Sequence, residues 1–265
     1  MDLSGLCRDL SAEQAELDGI VSELDHAGWD TPTPAEGWSV RDQISHLAFF
    51  DDAAATAASR PDEFTAGLAG IAEDLAGFID GPIDRGRTMD PGGVLSWWRV
   101  ARAASLQAFE DLDPSRRVPW YGPPMSPASF ISARIMETWA HGQDVVDGLG
   151  FSRAPTDRLR HVAHVGVRAR PYSYTVNARP LPDERVAVVL TSPAGESWSW
   201  DEGASARVTG SALDFCLLVT QRRHLDDTGI RAEGDAAHEW LSIAQCFAGP
   251  PGSGRAPGQF SKAGT

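Results

Sequence analysis

Arg134-Ile-Met-Glu137-Thr-Trp-Ala-His141-Gly-Gln-Asp144 is the stretch on which the reading of both fold and chemistry turns. It belongs to a run from Ala128 to Gly148 that reads as a long helix. Glu137 and His141 stand at i and i+4, so on a helix their side chains project from one face. A carboxylate and an imidazole placed that way can hold a single divalent ion. A simple surface contact is the alternative for such a pair. Arg134 and Asp144 share the stripe, three residues before Glu137 and three after His141. They are candidates to orient the ligands through hydrogen bonds, with a solvated helix salt bridge as the plainer reading.

Working outward towards the N-terminus, the chain reads as more helices. Leu3, Leu6, Leu10, Leu17, Ile20, Val21 and Leu24 recur at three- and four-residue steps, an amphipathic pattern that Gly28 would stop. After a Pro-rich link from Thr31 to Gly37, Ser39 suits an N-cap, with Asp42 in the first turn. Val40, Ile44 and Leu47 then mark a helix running to about Ala58. Pro61 opens a shorter helical stretch with Phe64, Leu68, Ile71, Leu75 and Phe78. Pro91 precedes another helix, Val94 to Leu112, ended by Pro114. The Pro-rich loop Val118 to Pro127 carries Trp120 and Tyr121, which suit the mouth of a pocket. Several helices on short links indicate a mainly α helical bundle over residues 1–150.

His46 lies on the second of these helices, on one stripe with Gln43 and Phe50. A lone histidine beside an apolar face is commonly a packed core residue. If this helix neighbours the one bearing Glu137 and His141, the three residues form a two-histidine, one-carboxylate site. Three protein ligands leave a coordination position open, the arrangement of catalytic rather than structural zinc.

Beyond Gly150 the pattern changes. Arg185–Leu190 and Glu196–Trp200 read as strands joined by a hairpin at Pro193-Ala194-Gly195, with further strands at Ala206–Thr209 and Ile230–Glu233. Helices are expected at 156–170, from Ala212 to about Arg223 behind a Ser211 cap, and from Asp235 through Phe247. Residues 151–248 thus form a smaller α+β domain. The segment 249–265, rich in Gly and Pro, reads as a flexible tail. Arg168, Arg170, Tyr172, Tyr174, Arg179 and Arg185 read as a solvated connector, with an anion-binding loop as the alternative.

Charge divides along the same line. Residues 1–150 hold 10 Lys+Arg against 25 Asp+Glu, while 151–265 hold 13 against 12. A half that acidic repels phosphate backbones, so nucleic acid is not an expected partner. No apolar run approaches the ~18 residues of a membrane span, and the N-terminus lacks a signal-peptide pattern. The cysteines Cys7, Cys216 and Cys246 are too scattered for a disulfide framework or a thiolate zinc site. Their surroundings make them small hydrophobes rather than nucleophiles. A cytoplasmic protein is expected.

Thr33-Pro-Ala-Glu-Gly-Trp-Ser-Val-Arg-Asp-Gln-Ile-Ser-His-Leu47 together with Arg134–Asp144 resembles the DinB-like metal-binding four-helix bundle, and within it the mycothiol-dependent maleylpyruvate isomerase family. The stretch from Gly210 through Arg222-Arg223, then Glu233-Gly-Asp235, resembles that family's sterol-carrier-like C-terminal domain. The resemblance implies His46, Glu137 and His141 as metal ligands, zinc as the usual divalent metal, and mycothiol or a similar low-molecular-weight thiol as cofactor. It implies that the metal lowers the thiol's pKa and that the resulting thiolate attacks a small electrophile. Departure of the thiol after bond rotation gives an isomerase; retention gives a transferase. Arg222 resembles an arginine that faces the family's active site and would grip an anionic substrate, with Arg223 as the alternative. The expected partners are therefore a small-molecule substrate and a thiol, with no membrane, in a monomer or homodimer. Two other readings stay open: a hydrolase using metal-activated water, with Asp144 as the local base, and a non-catalytic, metal-stabilised ligand-binding protein.

Overall fold

The computed structural model describes residues 2–70 and 75–260. The chain divides into two compact units, Met1–Arg153 and Ala154–Thr265.

The first unit is built on the long helices α1 (Leu3–Ser22), α3 (Val40–Ser59), α6 (Pro91–Glu110) and α7 (Pro127–Leu149). α3 packs against α6 and α7, and α1 packs against both as well, which makes a four-helix bundle. Its apolar core lies at two levels. Leu6, Leu10, Phe109, Phe130 and Ile131 join the early turns of α1 and α7 to the late turns of α6. Leu17, Ile44, Leu47, Trp98 and Val145 join the opposite ends. Each such side chain contributes ~1.5–3 kcal/mol on burial.

Between these levels lies a buried polar layer. Asp51 on α3 accepts both Nε and Nη2 of Arg134 on α7, at 3.1 and 2.9 Å. It also accepts Trp98 Nε1 of α6 at 3.1 Å and Gln14 Nε2 of α1 at 3.4 Å. One carboxylate therefore ties all four helices, and it is fully buried.

The ends follow from local chemistry. Ser39 and Asp42 form a capping box that starts α3, and Asp42 also pairs with Arg87 at 3.0 Å. Pro91 is the first residue of α6 behind the Asp90 cap, not its prelude, because its missing N–H costs nothing there. α1 stops at Ser22, short of Gly28. Gly28 instead lies in the one-turn α2 (His26–Trp29), whose start Asp25 caps by accepting Gly28 N at 2.8 Å. The stretch after Pro61 is broken into α4 (Pro61–Gly67), a 3₁₀ turn at Leu68–Gly70, and α5 (Leu75–Arg87). Ile71 lies outside the described residues.

The second unit holds α8 (Leu159–Arg168), α9 (Arg170–Val176), β1 (Val186–Thr191), β2 (Ser197–Trp200), β3 (Ala206–Ser211), α10 (Ala212–Val219), β4 (Arg231–Glu233) and α11 (Asp235–Ile243). The sheet order is β2-β1-β3-β4, with β1 and β3 parallel and the outer pairs antiparallel. Mainly α with a smaller α+β part is thus the architecture. The Arg/Tyr stretch is not a solvated connector: Pro171 sits in the first turn of α9, and Tyr174 is buried. α10 ends at Val219 and α11 at Ile243, both earlier than the apolar pattern indicates. Up to Phe260 the Gly/Pro-rich segment is held in place. Gly258 N donates to Asp227 at 2.8 Å, and Arg223 lies 3.8 Å over the Phe260 ring. Among the described residues no helix is long and apolar enough to cross a membrane.

Candidate metal centre

α3 and α7 bring His46, Glu137 and His141 together. One potential ligand atom from each lies within 4.8 Å of the other two. Glu137 Oε2 stands 3.3 Å from His141 Nε2 and 3.9 Å from His46 Nε2. A tetrahedral ion bound at ~2.0–2.1 Å separates its ligand atoms by about 3.3 Å, so the cluster is close to what such an ion needs. The three side chains are partly buried, with exposures of 20%, 23% and 11% for His46, Glu137 and His141, which leaves an approach from solvent.

The electrostatics suit a cation. Burial, then the neighbouring His141, push the His46 imidazole down to about 4, against the pull of Glu137. His46 is therefore neutral at neutral pH and keeps a lone pair. Burial would raise the Glu137 carboxyl, but hydrogen bonds and charge from His141 and His46 outweigh it and hold it well below the usual range. Two imidazoles and one ionised carboxylate can bind a divalent ion through three protein atoms and leave a fourth position open.

A loop and an aromatic wall frame the cluster. Pro32 and Ser39 form an isolated bridge, and within that loop Thr33 Oγ1 donates to the Trp38 carbonyl at 2.9 Å. Trp38 stacks on the His141 ring at 6.0 Å and lies 5.3 Å from His46. On the other side Phe50 packs 4.5 Å from His46, backed by Tyr121 and Trp120 at 5.7 and 6.2 Å. Burial pushes the Tyr121 hydroxyl up to about 12, so it stays protonated. Beside the loop opens a polar cavity of about 570 Å³, lined by Thr33, Trp38, Arg41, Asp42 and Arg87 among others.

The loop reaches α7 because residue 148 is glycine. A Cβ there would meet Pro32 O at 2.8 Å and Thr33 Cα at 3.2 Å, both backbone atoms that cannot swing away. Gly148→Ala should therefore destabilise the protein by about 1–2 kcal/mol, overpacking at ~1–3 kcal/mol being partly offset by alanine's helix preference. The midpoint of urea unfolding checks this.

The other candidate site residues have contacts of their own. Arg134 donates to Asp51 in the bundle interior, and its charge adds to what pushes the His46 imidazole down. Asp144 is buried on α7, not solvated. Arg222 belongs to the second unit, just past α10, where its Nη1 donates to the Thr220 carbonyl at 2.6 Å. Gln43 and Thr33 are contacts that the ligand pattern alone does not reveal. Gln43 Oε1 lies 2.5 Å from His141 Nδ1, and Gln43 Nε2 donates to Thr33 Oγ1 at 2.9 Å. The one sequence signal for Gln43 is its place on the His46 stripe.

A helical bundle with an open two-histidine, one-carboxylate cluster and an α+β partner unit defines the class. The sequence profile of the mycothiol maleylpyruvate isomerase N-terminal domain matches residues 10–146, and the chain belongs to that family. Uncharacterized proteins from two Mycobacterium tuberculosis strains, CDC 1551 / Oshkosh and H37Rv, are each 46% identical to it over 248 residues, covering 93% of this chain and 96% of the relative. The crystal structure of the mycothiol-dependent maleylpyruvate isomerase, and that of a histidine-to-alanine mutant of it, share the fold with a TM-score of 0.59. Each is 16% identical, with 88% of this chain and 93% of that chain covered.

Proposed function

We propose that this chain is a metal-dependent enzyme that uses a small thiol, of the mycothiol type, to isomerise or transfer onto a small electrophile. The observation that carries the reading is the convergence of His46, Glu137 and His141 within 4.8 Å, in a bundle of this family. Zinc suits the nitrogen and oxygen donors. A bound ion would supply an open position that takes a thiol sulfur and lowers its pKa into the neutral range.

The chain's own residues do the rest. His46 and His141 present imidazole lone pairs, and the Glu137 carboxylate balances part of the cation's charge. Trp38 and Phe50 flank His46 and shield the reacting atoms from water. The cavity beside Trp38 has room and hydrogen-bonding groups for the polar body of a thiol. Arg222 remains the candidate grip for a substrate carboxylate. Cys7, Cys216 and Cys246 are buried and form no disulfide, which fits action in a reducing cytosol.

The test is turnover of a panel of electrophiles, with and without a carboxylate, by purified protein with and without thiol and zinc. Turnover that requires both supports the proposal. Turnover indifferent to the thiol overturns it in favour of hydrolysis by metal-activated water. No turnover, with an apolar ligand retained through purification, overturns it in favour of a binding protein.

A further inference from the structure

The geometry points to Gln43 and Thr33 as positioning residues that hold the His141 proton on Nδ1 and aim its Nε2 at Glu137 and the metal position. This inference rests on the metal-site reading proposed above.

The chain of hydrogen bonds has one consistent direction. It begins at the Trp38 carbonyl, which can only accept. Thr33 Oγ1 gives its single proton to that carbonyl at 2.9 Å. Towards Gln43 the same oxygen can therefore only accept, so the group facing it at 2.9 Å is the Gln43 amide nitrogen. That places Gln43 Oε1 against His141 Nδ1 at 2.5 Å, and an amide oxygen demands a donor. A proton thus sits on Nδ1. Its Nε2 faces Glu137 Oε2 at 3.3 Å, donates to that carboxylate while no metal is bound, and is the nitrogen left to bind an ion in exchange for that proton. A main-chain carbonyl three links away decides which nitrogen of His141 can bind a metal.

The same arrangement fixes orientation as well as proton position. Gln43 is fully buried and Thr33 is 9% exposed, so water does not compete for these bonds. Trp38, whose carbonyl anchors the chain, also stacks on the His141 ring with planes 16° apart. One short loop therefore holds the imidazole edge-on through Gln43 and face-on through Trp38. Because Gln43 and His46 lie on one stripe of α3, that helix contributes one ligand candidate and the support of the other. Outer hydrogen-bond partners of metal-bound histidines are typically worth ~10–100-fold in affinity.

Two measurements on the full chain test the inference. The first is zinc affinity by chelator competition, for wild type, Gln43→Leu, Gln43→Glu and His141→Ala. Gln43→Leu should bind zinc ~10–100-fold more weakly, and Gln43→Glu, which keeps an acceptor at Nδ1, should recover most of the loss. The second is ¹⁵N NMR of the zinc-loaded protein, in which the wild-type His141 should carry its proton on Nδ1 and coordinate through Nε2. In Gln43→Leu the Nδ1 proton should lose its protection from exchange, and Gln43→Glu should restore it, a rescue that mere loosening of the fold would not show. If His141→Ala loses zinc while Gln43→Leu keeps wild-type affinity and Nδ1 protection, the positioning inference is wrong and the metal site stands. If His141→Ala binds zinc like wild type, the metal-site reading itself falls. A wild-type, zinc-loaded His141 that coordinates through Nδ1 or lacks the Nδ1 proton overturns the relay whatever the affinities are.

Discussion

His46→Ala and His141→Ala should each reduce bound zinc from about one ion per chain to near none, and abolish thiol-dependent turnover. Each variant removes one of only three protein donors, so the loss should exceed the ~10–100-fold attached to an outer partner. The two should differ in stability. His46 is partly exposed on α3 and packs between Trp38 and Phe50, so its removal takes away ring contacts and its pairing with Glu137 but leaves no buried acceptor stranded. Removing His141 also strands Gln43 Oε1 in a fully buried position, a desolvation cost of ~1–3 kcal/mol. Glu137→Gln retains an oxygen donor but not the charge, and should fall between wild type and the histidine variants. Metal analysis of the purified proteins, with unfolding midpoints recorded on the same samples, decides it. Equal metal content in wild type and both histidine variants would remove the basis for a metal centre.

The helices were legible because their apolar residues repeat at helical spacing, and the pairing of Glu137 with His141 because i, i+4 is a local rule. What lay outside the sequence pattern is non-local. Arg134 stands three residues before Glu137, a spacing that reads as support for the ligands, yet its partner Asp51 is 83 residues away on another helix. Nothing near Asp51 in sequence announces that pairing. Gln43 shares a visible stripe with His46, but its task depends on a loop folding back so that Thr33 and Trp38 can set its amide. Composition marked residues 249–265 as a flexible tail. It could not foresee that Asp227 would accept Gly258 N, because a backbone amide is available at nearly every position. In the second unit α9 was hidden by Pro171, which breaks a helix in its interior but suits its first turn.

Asp51→Asn should be the most destabilising single change in the first unit, costing ~3–5 kcal/mol, because it leaves the Arg134 guanidinium buried without its counter-charge. The side chains of Arg134 and Asp51 are 3% and 0% exposed, so water cannot take over. Burial pushes the Asp51 carboxyl up while Arg134 and the Trp98 indole pull it down, so the pair is held against a desolvation cost that no surface pair meets. Replacing both partners, as Asp51→Leu with Arg134→Met, removes that cost along with the attraction and should recover much of the lost stability. The double variant also separates stability from alignment. Asp51 lies five residues beyond His46 on α3, and Arg134 lies three before Glu137 on α7, so their bidentate contact sets how the two ligand-bearing helices register. An apolar pair fills the space without fixing that register, and zinc affinity should stay depressed even where the unfolding midpoint returns. Urea unfolding and chelator competition on the same three proteins check both halves. A double variant that regains stability and wild-type affinity together would show that packing alone aligns α3 with α7 and that the ion pair has no part in building the site.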